Sequence, residues 1–135
     1  MNESDWASCL DDPQGIRRFY SQVPDLSKCD LFYFLTDERG SGVTLGFETS
    51  CMPQRGDYAS ESREFNSFEF YLAFLNVRAF TVEGWSGPAR KSVTLAPGVA
   101  EEIQVTIEAP GTFVGFEADS VSLAKSRFAL VSRGD

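Results

Sequence analysis

Twenty acidic side chains and no histidine set the chemistry open to this 135-residue chain. Histidine is the commonest general base and a leading metal ligand, so its absence removes Ser-His-Asp and Cys-His catalysis together. Carboxylates are left to act as acid and base, the arrangement that glycosidases use. Three pairs qualify by position: Asp37 with Glu38, Glu101 with Glu102, and Glu69 with Glu83. The first two pairs sit at predicted strand ends, where solvated charge is ordinary. Glu69 interrupts an otherwise apolar strand, and a period of two places it opposite the phenylalanine face, on the outside. Cys9, Cys29 and Cys51 are widely spaced and form no CxxC. They predict neither a zinc site nor a disulfide framework, and Cys29 and Cys51 are expected to be buried, inert thiols. No phosphate-binding loop, GxGxxG or EF-hand pattern occurs, and "GSGVTLG" falls in a hairpin instead of a strand-to-helix turn. The expectation is a protein that is not an enzyme and carries no metal and no cofactor.

The elements that would position these residues are mostly strands. "DDPQGIRRFYSQVPDL" begins with Asp12 before Pro13, an N-cap and first-turn pair, and predicts one short helix over 13–21 that Pro24 ends. Residues 1–12 read as a loose lead-in from which Trp6 and Leu10 dock on the core. Beyond Pro24 the apolar period is two. Strands are predicted over 29–36, 43–49, 66–75, 78–85, 90–96, 101–109, 113–118 and 127–133, with 119–126 as a connection. "CDLFYFLT" is apolar on both faces, and with "VTLGFET" it predicts a hairpin closed by the turn "DERGSG". "NSFEFYLAFLNVRAFTVEGW" reads as two neighbouring core strands broken near the turn-prone Asn76, with Phe68, Phe70, Leu72 and Phe74 on one face. Residues 50–65 have no period and form the longest irregular stretch. About eight strands with Gly, Pro and Asp turns predict a mainly β chain, an antiparallel sandwich or bent meander with one short N-terminal helix. No domain boundary is visible, so 1–135 reads as a single domain.

A net charge of −8 disfavours nucleic acid and anionic lipid as partners and favours basic proteins. The acidic start "MNESDWASCLDD" is unlike a secretory signal, and no apolar run approaches the length of a membrane helix. With the unpaired cysteines, this predicts a cytoplasmic location.

The order of elements, from "VPDL" through "VTLGF" and "LNVRAFTVEGW" to "GFEADSV", resembles the Immunity protein 50 family of bacterial polymorphic toxin systems. The resemblance covers nearly the whole chain. It implies a non-enzymatic protein that binds and neutralises a cognate toxin domain by blockade, and the acidic balance favours a basic toxin. The family supplies no binding residues to transfer. From charge and expected exposure the contact candidates are Asp37, Glu38, Asp57, Tyr58, Glu61, Glu69, Glu83 and Trp85. Two other classes stay open beside it. One is a small β-barrel or sandwich in which the twelve phenylalanines line a site for an apolar ligand. The other is a structural part of a larger assembly. Oligomeric state is open.

Overall fold

Alternating apolar residues build two sheets, because one face of each strand must leave water. The computed structural model describes residues 6–39, 41–55, 64–85, 90–98 and 100–131. Among these, eight strands form two antiparallel four-stranded sheets. The strands are β1 (Asp30–Asp37), β2 (Gly42–Thr49), β3 (Ser67–Leu75), β4 (Arg78–Val82), β5 (Ser92–Pro97), β6 (Ile103–Ala109), β7 (Thr112–Ala118) and β8 (Ser120–Ala129). One sheet has the order β1-β2-β3-β8 and the other β4-β7-β6-β5. The expected antiparallel sandwich is what forms.

The core side of each sheet carries the residues that the alternation picks out. Val43, Leu45 and Phe47 on β2, and Phe68, Phe70, Leu72 and Phe74 on β3, are buried. From the second sheet Val93, Leu95, Ile103, Val105, Ile107, Val114 and Phe116 meet them. Phe74 packs edge-on against Phe116 with centroids 5.3 Å apart, tying the sheets together. Phe70 stacks between Phe47 and Trp6, both at 5.4 Å.

The N-terminal segment closes one side of the sandwich. Trp6, Ala7 and Leu10 are buried, and the Trp6 indole N–H donates to the Pro24 carbonyl at 2.8 Å. The Asp11 N–H donates to the Val121 carbonyl on β8, and a 3-10 helix at Leu26–Lys28 packs on β5. The single α-helix among the described residues, α1, is shorter than expected: it spans Gln14–Arg17 instead of 13–21. Pro13, not Asp12, is the N-cap residue, although the Asp12 carboxylate still accepts from the Gln14 N–H at 3.1 Å, and Gly15 weakens the helix interior. The helix ends where Phe19 and Tyr20 turn into the core, and the Phe19 carbonyl then accepts from the N–H groups of Gln54 and Arg55.

Two strand assignments change. Residues 119–126 are not a connection: β8 begins at Ser120, directly after the turn at Asp119. Ser120 and Ser122 flank Val121, and Ala124 is an extra residue that shifts the pairing with β3, so the alternation breaks off midway along the strand. The expected core strand 78–85 is an exposed edge strand that ends at Val82 and lies in the opposite sheet from β3. Asn76, at φ 54°, does mark the break between them.

Candidate functional site

β1 and β4 are the end strands of their sheets, and they lie on the same side of the sandwich. Between them runs an open apolar cleft of about 500 Å³, lined by Phe32, Phe34, Thr36, Phe80, Val82, Trp85 and Val114. Phe34 reaches the core side of β1 opposite Leu45. Its ring meets Phe80 at 6.2 Å and Trp85 at 5.5 Å.

Local irregularities aim these rings. Phe32 is the extra residue of a bulge in the β1–β2 pairing, between Leu31 and Tyr33. The bulge leaves Phe32 exposed, lining the cleft while also touching Tyr71 at 5.7 Å on the outer face. β4 has its own bulge between Arg78 and Thr81, where Ala79 adopts φ 54°. Trp85 is positioned by the turn before it. Gly84 has φ +102°, and a Cβ there would lie 2.5 Å from the Gly111 carbonyl oxygen, so the approach needs glycine. The Trp85 indole is 47 % exposed, with the Lys91 ammonium 4.7 Å above its ring. At the far end, the Val77 N–H donates to the Ser41 carbonyl at 2.7 Å, holding β4 to the β1–β2 turn.

The acidic candidates divide. Asp37 ends β1 beside the cleft residue Thr36, and Glu38 begins the turn; both are exposed. The Asp37 carboxylate accepts from the Arg39 N–H at 3.1 Å. Glu83 is exposed after β4, with its N–H donating to the Phe113 carbonyl at 2.8 Å. Glu69 lies on the outer face of β3, as period two requires, but it is only 7 % exposed. The Arg127 guanidinium, its cross-strand neighbour on β8, donates to it at 2.6 Å. Glu69 is therefore committed to Arg127 within one sheet, whereas Glu83 follows a strand of the other. Asp57, Tyr58 and Glu61 lie outside the described residues.

Other ionisable groups serve the fold. Arg78 donates to Asp119 at 2.7 Å, which holds that carboxyl below the ordinary carboxylate range, with help from the Asn76 amide. Burial pushes the Tyr20 hydroxyl far up, and it donates to the Cys51 carbonyl. Cys29 is buried, as expected, and burial pushes its thiol up to about 12, which favours the neutral form. Cys51 departs from expectation: it is exposed, because it follows β2 on a surface turn. Among the described residues no cluster of three or more Cys, Asp or Glu can hold a metal. No helix there is long and apolar enough to cross a membrane.

The cleft joins Trp85 to Phe80 and Val82, which the sequence pattern assigns to a core strand, and to Phe32 and Phe34 of the strand that reads as apolar on both faces. One signal was present: "CDLFYFLT" does not alternate, and an edge strand that is apolar on both faces must expose one of them. A family model described as Immunity protein 50 matches residues 12–128. No curated protein and no solved structure matches the chain.

Proposed function

The chain belongs to the Immunity protein 50 family, and from that premise we propose that it binds a cognate bacterial toxin domain and neutralises it by covering it, without catalysis. The observation that carries the reading is the family match over residues 12–128. The surface is consistent with it. A binding patch needs apolar anchors inside a polar rim, and the cleft offers Phe80, Val82 and Trp85 with Asp37, Glu38 and Glu83 as neighbours in the chain. A net charge of −8 would steer a basic toxin toward it from a distance. Action in the cytoplasm of the producing cell fits three unpaired cysteines.

The test is co-expression with the toxin domain encoded beside the gene. Restored growth and a stable one-to-one complex are expected. Absence of both binding and protection against every neighbouring toxin domain would overturn the reading.

A further inference from the structure

We propose that the edge of β1 is a docking site for an extended segment of the toxin, which adds beside it as a fifth strand of the β1-β2-β3-β8 sheet. The inference rests on the immunity reading above and concerns how the partner is held. β1 pairs with β2 on one side only. Among the described residues, no backbone group of residues 31–36 hydrogen-bonds to anything beyond that pairing. A row of unused N–H and C=O groups is a template for another strand, and proteins normally blunt such edges with lysine, proline, a bulge or a cover.

The other three edges are blunted in these ways. β8 carries Lys125 and Arg127. β5 ends in Pro97, and the Ser27 hydroxyl of the neighbouring 3-10 helix accepts from the Val93 N–H at 3.2 Å. β4 is broken by its bulge at Ala79. β1 reads "LFYFLT" over 31–36, without lysine, arginine or proline. Its one bulge lies at Phe32, and pairing with β2 is regular from Tyr33 to Asp37.

Side chains and charge define the occupant. Phe32, Phe34 and Thr36, alternate residues, line the cleft below the edge. A strand laid against β1 would drop every second side chain toward them. Asp30 stands at the start of β1, and Asp37 and Glu38 at its end, with no basic residue from 30 to 38. The fitting segment is about six residues long, roughly 20 Å. It is apolar at alternate positions and carries lysine or arginine at its ends.

Hydrogen exchange on the full chain, alone and with the neighbouring toxin domain, tests this. Amides within 31–36 should exchange more slowly in the complex. Thr36→Lys puts the usual edge-guarding charge at an exposed cleft position and should raise Kd at least about tenfold. Gln104→Lys, the same charge change on an exposed residue of β6, should leave Kd unchanged. Both variants should melt like the parent. A complex that forms with its protection elsewhere, or that tolerates Thr36→Lys, overturns the docking mode and leaves the immunity function standing. Absence of any complex with the parent chain overturns the function and the docking mode with it. Protection of 31–36 in a dimer of the free protein assigns the edge to a second copy, and a co-purified apolar small molecule assigns the cleft to a ligand. Either result overturns the inference.

Discussion

Glu69 shows how a carboxylate that looks functional in sequence can be structural. It sits between Glu48 on β2 and Arg127 on β8, and the cation is what makes its burial tolerable. Removing one partner of such a pair harms the protein unequally, because a covered charge is costly alone and an exposed one is not. Arg127→Ala leaves the shielded carboxylate without its cation and should lower Tm clearly. Glu69→Gln leaves an exposed arginine in water and should lower it less. Equal losses in paired thermal melts would contradict this. The cysteines give a second prediction. Cys51 should react with iodoacetamide in the folded protein, whereas Cys29 should react only after unfolding, as followed by mass spectrometry. The Cys29 thiol is raised from 9.0 to about 12, so the fold favours its neutral form. That contribution is complete below pH 9 and is lost as pH rises toward 12. Denaturant midpoints should fall over that range, and less so in Cys29→Ala.

At the scale of elements, edges and irregularities decide which aromatic residues are core and which are surface. β3 is legible because four apolar residues alternate without a break. β1 and β4 are not, since a strand buried on both faces and an apolar strand at an open edge have the same composition. The outer face of the first sheet has a further constraint at Gly46. Tyr33 and Tyr71 close over it, and a Cβ there would lie 2.8 Å from the Tyr33 Cβ and from the Tyr71 ring. The ring can swing aside, but the Tyr33 Cβ moves only with β1. Gly46→Ala should therefore cost about 1–3 kcal/mol as overpacking and disturb the β1 edge. Chemical denaturation measures the loss, and an alanine as stable as glycine would refute the close packing.

Across the whole molecule the sandwich is asymmetric: residues 6–28 seal the side between β8 and β5, and the side between β1 and β4 stays open. Trp6 is central to the seal. Trp6→Ala removes its stack on Phe70 and its bond to Pro24 and should cost about 3–5 kcal/mol. A loss below about 1 kcal/mol in urea unfolding would show that the segment is dispensable. The seal was only partly legible, as a tryptophan and a leucine in a polar run. The family resemblance, the β class and the inward face of each alternating strand were set by the sequence alone, because period two couples residue type directly to one side of a sheet. The distribution of strands between sheets, the burial of Glu69, the exposure of Cys51 and the open cleft at Trp85 were decided by tertiary structure. Each depends on which strand ends up beside which, and pairing between distant segments leaves no local periodicity to read.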